Sequence, residues 1–415
     1  MLDRVDRGAD VLAVSSWAVK SASSDRVVLV HDYLLTLRGA ERTFAALSDL
    51  YPDAPIVTLL YDERGTSGRF AGRHVITSPL QRLGIEQQSF RRLLPLYSTA
   101  ARHLPTKGFD CIVSSSSAFA HGVPRGHGAK HICYCHSPFR YAWHENDKAM
   151  LELAPPLRPV LSVLLRRHRA FDRRAVASVD QFVANSEITR ERIARFWGRD
   201  SVIVHPPVDV ERFSPAQPED YILFVGELLR HKRADVAIEA ALHAGRPIKV
   251  VGSGAESARL RRRYPAAQFL GRVEDQELAD LYARAAALIV PNVEEFGIAA
   301  IEAQAAGRPV VAIGAGGALE TVQHGRTGVL VAPGDARALA EALTQDFNAF
   351  DSKEIRAHAR TFSRTAFERK MTAVIRAVRA HGHAGPSVFA QPPASGSRQA
   401  KPRGVGLAVT SKVAS

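Results

Sequence analysis

A chain of 415 residues exceeds what one ordinary hydrophobic core accommodates, and it points to two domains with some chain left over. With 46% apolar and 23% charged residues the composition is that of a soluble globular protein, and no apolar run reaches the length of a membrane span. The net charge of +13 calls for acidic partners, whether nucleic acid, an anionic membrane surface or phosphorylated substrates, without choosing among them.

Residues 1–25 carry mixed charge and only a short apolar piece, so a poorly ordered extension is expected rather than a cleaved signal peptide. "RVVLVHDYL" then reads as a strand, "RGAERTFAALSDLY" as a helix and "PIVTLLY" as a second strand, a β-α-β unit. The alternation continues through "DCIVSSSSAFAHGV", "HICYCHSPFRYAW", "QFVANSEITRERIARFWG" and "SVIVHPPVD", which predicts a doubly wound parallel sheet over residues 26–207. After the proline-containing break "PPVDVERFSPAQPED" the cycle restarts with the strand "YILFVGELL", the helix "RADVAIEAALHAG" and the strand "PIKVVGSG". The helix "DQELADLYARA" and the strand "ALIVPN" follow, so residues 208–365 form a second Rossmann-like domain. A helix over 366–383 closes the folded part and is expected to return to the first domain. Residues 384–415, rich in Pro, Gly, Ser and basic side chains, read as a disordered tail.

Three cysteines, Cys111, Cys133 and Cys135, form an odd and sparse set that fits a reducing cytosol better than a disulfide framework. "HGVPRGHGAKHICYCH" has enough His and Cys to suggest zinc. On a strand, however, Cys133 and Cys135 share one face while His136 points away from it, so no tetrahedral site assembles. "VVGSGAES" lacks the third glycine of a dinucleotide fingerprint and stands too late in the chain, which makes hydride chemistry a weak alternative.

In an open α/β sheet, ligands bind beyond the carboxyl ends of the strands, where loops feed helix N-termini. "VPNVEEFGIAAIEAQAAGRPVVA" places Glu294 at such a strand end and Glu302 on the helix that begins near Ile298. A carboxylate just before a helix also has a plain explanation, since it complements the dipole and caps free N–H groups. The whole string resembles the E-x7-E signature of the family 4 retaining glycosyltransferases, whose fold is GT-B, two Rossmann-like domains facing across a cleft. "HDYLLTLRGAERT", "ICYCHSPFRYAW", "ANSEITRERI", "FVGELLRHKRADVAIEA", "GGALETV" and "GRTGVLV" are similar to further motifs of that family, in order and over most of the chain. "ICYCHSPFRYAW", "EEFGI" and "GGALETV" most resemble the branch that transfers mannose from GDP-mannose in cell-surface polysaccharide assembly.

The resemblance implies an acceptor domain at the N-terminal side and a nucleotide-sugar domain after it. It implies that Glu294 holds donor-sugar hydroxyls, that Glu302 bonds the ribose, and that the backbone N–H groups of Phe296, Gly297 and Ile298 face the sugar and diphosphate. Lys232 would neutralise the leaving diphosphate, and His136 would stand near donor sugar and acceptor. Gly39 matches the second glycine of a family pair whose first position is Arg38 here. Glu227 stands where the family often has an arginine, with Arg230 or Arg233 as substitutes for that cation. No metal or other cofactor is implied. The partners implied are a nucleotide-sugar donor and a glycan or polyprenyl-linked oligosaccharide acceptor. Another donor, such as a UDP-sugar or a deoxyhexose, stays open, as does a non-catalytic sugar-nucleotide-binding protein on the same fold.

Arg166, Arg167, Arg169, Arg173 and Arg174 interrupt the apolar residues of "PVLSVLLRRHRAFDRRAVAS", a basic amphipathic pattern that suits either an anionic membrane surface or an ordinary solvated helix face. The expected location is cytoplasmic, at the inner face of the membrane. Nucleic acid is not an expected partner, because no recognised binding module accompanies the charge.

Overall fold

The structure is a computed structural model that describes residues 26–84, 89–152 and 154–385. The expected N-terminal extension lies outside the described residues, as does nearly all of the expected tail.

The first sheet has seven parallel strands: β1 (Val27–His31), β2 (Ile56–Thr58), β3 (Val75–Thr77), β4 (Cys111–Ser116), β5 (Lys130–Cys135), β6 (Gln181–Ala184) and β7 (Ser201–Ile203), in the order β3-β2-β1-β4-β5-β6-β7. The second has six: β8 (Ile222–Val225), β9 (Ile248–Val251), β10 (Gln268–Gly271), β11 (Ala287–Val290), β12 (Val310–Ile313) and β13 (Gly328–Val331), in the order β10-β9-β8-β11-β12-β13. Both orders reverse direction beside their first strand, and a ligand crevice opens at such a switch point. Central strands such as β1, buried at every position, read as continuous apolar runs because helices cover both sheet faces. The short edge strands β3 and β10 have no such run, and "HVIT" and "QFLG" gave no strand signal in the sequence.

Seven helices bear on the site. They are α1 (Gly39–Asp49), α2 (Leu94–Ala101), α3 (Arg158–Ala175), α4 (Glu187–Trp197), α5 (Ile298–Ala305), α6 (Ala318–Thr321) and α7 (Arg364–His381). The Ser363 hydroxyl caps α7 by accepting from the Ala366 N–H, and Gly382 ends it in the left-handed conformation. Its apolar face, Phe367, Met371, Val374, Ile375 and Val378, is buried in one cluster with Leu29, Phe44 and Tyr134 of the first domain. The last helix thus crosses back and ties the two domains together.

On α3, Leu165, His168, Phe171, Asp172 and Ala175 face inward, while Arg166, Arg167, Arg173 and Arg174 are exposed. Arg169 departs from that solvated set. Its Nε donates to the Ala142 carbonyl and its guanidinium lies over the Trp143 ring, a packing role that its sequence position did not reveal. Cys111, Cys133 and Cys135 are buried free thiols. No helix among the described residues is long and apolar enough to cross a membrane.

Candidate active site

The carboxyl edge of the second sheet carries the charged wall of a cleft. β11 delivers the chain to Glu294, and Gly297, at φ +92°, turns it into α5 in a conformation that L side chains rarely adopt. α5 begins without a side-chain cap; the Ala300 N–H donates to the Gly297 carbonyl at 3.1 Å, so the N–H groups ahead of Ala300 are the ones offered to an anion. The Phe296 ring is buried and stacks on His205, centroids 5.4 Å apart, which anchors the turn.

Lys232, brought in by the loop after β8, donates from Nζ to both Glu294 oxygens, at 2.7 and 3.0 Å. Asn292 Nδ2 adds a bond of 2.9 Å to Oε1. Burial alone would push the Glu294 carboxyl up, but Lys232 and Asn292 outweigh it and hold the group below the usual carboxylate range. Glu294 is therefore an anion at neutral pH. The sequence motifs place Lys232 and Glu294 in separate roles, on diphosphate and on sugar, whereas in the fold they form one unit.

Glu302 lies deeper. Tyr282 Oη donates to its Oε2 at 2.9 Å, and Arg212 Nη2 stands 3.6 Å from Oε1. Burial raises its pKa, opposed by the tyrosine bond and by the charges of Arg212 and Arg42. Arg230 and Arg233 line a hollow with Asp235, Glu256 and Arg259. The basic groups that act on Glu294 are Lys232 and His231.

The first domain supplies the opposite wall. His136 follows β5, with its N–H bonded to the Ser116 carbonyl at 2.9 Å and its Nε2 2.8 Å from Ser115 Oγ. Burial pushes its pKa down to about 4, and that of its neighbour His31 to about 3, so both rings are neutral at pH 7. Beside them the buried Asp32 carboxylate accepts four backbone N–H bonds, from Ser117, Ala118, Phe119 and Ala120 at 2.5 to 3.0 Å, and clamps the loop after β4.

The two walls meet through side chains that the sequence did not single out. Arg192 of α4 donates to Glu295 Oε1 at 2.7 Å and to Ser137 Oγ at 3.3 Å, joining the residue after Glu294 to the residue after His136. Glu320 of α6 accepts from the Glu187 N–H at 2.8 Å and lies 2.9 Å from His205 Nε2. Gly317 donates to the Glu294 carbonyl at 2.8 Å, which seats "GGALETV" against the Glu294 loop. A Cβ on Gly39, at the start of α1, would stand 3.4 Å from Ile298 Cδ1, so the N-terminus of α1 faces that of α5. Arg38 and Glu227, the two departures from the family pattern, turn out to be partners, with Nη1 and Oε2 3.5 Å apart. Outside this junction, a hollow of about 350 Å³ lies between α2 and α3, lined by Phe139, His168, Phe171, Arg102, Arg167 and Arg174 among others. Among the described residues no group of three or more His, Cys, Asp or Glu side chains is placed to hold a metal ion.

Residues 37–212 match the family model described as Glycosyltransferase Family 4, and residues 219–347 match that of Glycosyl transferases group 1. A D-inositol 3-phosphate glycosyltransferase of Streptomyces scabiei is 30% identical over 305 residues, which are 59% of this chain and 68% of that protein. The chain belongs to the family 4 glycosyltransferases. D-inositol 3-phosphate glycosyltransferase 2 of Catenulispora acidiphila is 36% identical over 208 residues, 40% of this chain and 49% of that one. Over such alignments the chain spans about half the length of most of the curated relatives it matches. Among solved structures, Anabaena Alr3699/HepE in complex with UDP superposes with a TM-score of 0.63 at 18% identity, covering 85% of this chain and 100% of that one. Sucrose-phosphate synthase from Thermosynechococcus elongatus superposes with 0.62 at 19% identity, covering 86% and 99%. This family 4 chain therefore has the GT-B fold.

Proposed function

We propose that the protein is a retaining hexosyltransferase that moves a sugar from a nucleoside diphosphate to an acceptor hydroxyl. The observation that carries this reading is the Lys232–Glu294 unit at the N-terminus of α5, which has no side-chain cap, held by Arg192 against the loop that bears His136. The diphosphate would sit at the α5 N-terminus and on Lys232, which stabilises the charge that grows as the glycosidic bond breaks. Glu294, anionic beside the sugar, would hold its hydroxyls while positive charge develops at the anomeric carbon. The neutral His136 would offer a hydrogen bond without adding charge, and Glu302 would take the ribose. The acceptor hydroxyl attacks on the face that the diphosphate leaves, and a donor phosphate oxygen takes its proton, so configuration is retained. These roles use side chains and backbone alone, without a metal.

Two donors fit this reading. A UDP-sugar is supported by the UDP and UDP-glucose bound to the Anabaena neighbour of the same fold, and it has the better support. GDP-mannose is supported only by the likeness of the loop motifs to the mannosyltransferase branch. The names of the curated relatives support a polyol or glycan hydroxyl as acceptor. The hollow between α2 and α3, part apolar and rimmed by arginines, would suit a lipid-linked, phosphorylated one. The exposed arginines of α3, beside exposed Val160 and Val163, support contact with an anionic membrane at the cytoplasmic face. Initial rates of donor hydrolysis and transfer with UDP-glucose, UDP-N-acetylglucosamine and GDP-mannose, with and without EDTA, test the reading. Turnover of none of them would refute catalysis in favour of a pure binder, and full EDTA inhibition reversed by a divalent ion would refute the metal-free mechanism.

A further inference from the structure

The wall around Lys232 has a residue of the wrong sign for its proposed ligand. Glu227 follows β8 at its carboxyl end, five positions before Lys232, and its carboxylate would repel a diphosphate held on Lys232. What faces Glu227 is Arg38 of the first domain. Arg38 occupies the N-cap position of α1, and its backbone N–H donates to Glu41 Oε2 at 3.0 Å, so its Cα is anchored while its side chain reaches across the cleft. Arg42 stands one helical turn further along, on the same face, and its charge acts on Glu302 of the second domain. The N-terminal turn of α1, with two guanidinium groups, is thus laid over the N-terminal turn of α5, at the approach marked by Gly39 and Ile298.

We propose that Arg38 is a donor-binding residue that grips the diphosphate from the first domain, supplying the second cation that the β8 loop lacks, with Glu227 holding it ready. This rests on the nucleotide-sugar reading above. The Arg38–Glu227 pair is loose at 3.5 Å, and its side chains are 61% and 45% exposed, so it is weakly held. A diphosphate carries more charge and presents oxygens that fit the guanidinium fork, and it outcompetes a single exposed carboxylate. Because Lys232 belongs to one domain and Arg38 to the other, the same ligand also ties the cleft shut. Arg230 and Arg233 are not needed for this cation, and they stand with Asp235, Glu256 and Arg259 instead.

Calorimetry on the full chain with UDP, GDP, UMP and GMP tests the assignment, using Arg38→Ala, Glu227→Gln and the exchange Arg38→Gly/Glu227→Arg. For whichever diphosphate the wild type binds, Arg38→Ala should weaken affinity roughly tenfold or more, as loss of a charge-assisted bond does. The monophosphate should be affected far less. Glu227→Gln should keep or tighten diphosphate binding, and the exchange should recover most of what Arg38→Ala loses. Unchanged diphosphate affinity in Arg38→Ala would overturn the proposal and leave the donor reading intact. Equal losses for mono- and diphosphate, or an exchange variant no tighter than Arg38→Ala, would overturn it too. A wild type that binds neither diphosphate would overturn the donor reading and this assignment together. Because the Arg38 side chain is exposed, its truncation should leave the fold intact, which a thermal melt checks.

Discussion

The two walls of the cleft are built from the same topology and hold opposite electrostatics. The second domain presents fixed charge, with the Glu294 anion bound to Lys232 and Glu302 held by Tyr282 and Arg212. The first presents rings kept neutral by burial, His31 and His136, beside a carboxylate, Asp32, whose charge is met by four backbone N–H groups. A charged leaving group needs the first kind of wall, because preorganised charge lowers the barrier where charge develops. A hydroxyl acceptor needs the second, because a neutral donor or acceptor of hydrogen bonds positions it without competing for the diphosphate.

Attacking the charged wall should break the contrast most severely. Lys232→Ala should lower kcat roughly a hundredfold or more, the scale of a lost transition-state stabiliser. Glu294→Gln should keep nucleoside diphosphate affinity near wild type and reduce kcat and kcat/KM together. Initial rates paired with calorimetry decide: loss of nucleotide binding with kcat kept would return Glu294 to a helix-capping role.

Glu302→Ala should act on binding instead. It should weaken donor and free nucleoside diphosphate alike by about 1.5–3 kcal/mol, the worth of a hydrogen bond to a charged group. A wild-type Kd with impaired kcat would contradict the assignment to the ribose.

The neutral wall should be tested by pH. His31, His131 and His136 have folded pKa values lowered to about 3, 3 and 4, so on acidification the unfolded chain takes up protons before the native one does. Their contribution to stability is full above pH ~6.5 and falls as the pH drops toward 4, by up to about 1.4 kcal/mol per pH unit for each histidine. Asp32 and Glu302, whose values burial raises, act in the opposite sense at the acid end. Urea denaturation between pH 7.5 and 5 should show stability falling with pH, and a flat profile would mean that these rings are not neutral in the fold.

The smallest effect belongs to the outer face of the first domain. Replacing Arg166, Arg167, Arg173 and Arg174 with Ser should weaken binding to anionic vesicles at low salt and leave turnover on a soluble acceptor unchanged. Equal binding to neutral vesicles would remove the membrane from the account.

Much of this is legible in the sequence. The alternation of apolar runs with helical spacing gave the two-domain α/β architecture, because buried parallel strands have to be written as such runs. Edge strands β3 and β10 carry no such run, since their residues face partly outward. Glu294, Lys232, His136 and Glu302 stood out because they fall at strand ends or on the helices that follow. The residues that join the walls did not: Arg192, Glu295, Glu320 and His205 look like ordinary surface charges until two loops more than a hundred positions apart are brought together.

By itself the sequence determined the order of elements, the positions of Glu294 and Lys232 after strands and of Glu302 on a helix, and the motif likeness to one family. Those are local properties, carried by periodicity and spacing. Only the tertiary structure decided which charges meet. It coupled Lys232 to Glu294 and set Arg38 against Glu227. It neutralised His136 by burying it, and it placed α7 in the core of the opposite domain. Coulomb energy and desolvation depend on distance and burial in space, and the linear chain encodes those only through the packing of both domains at once.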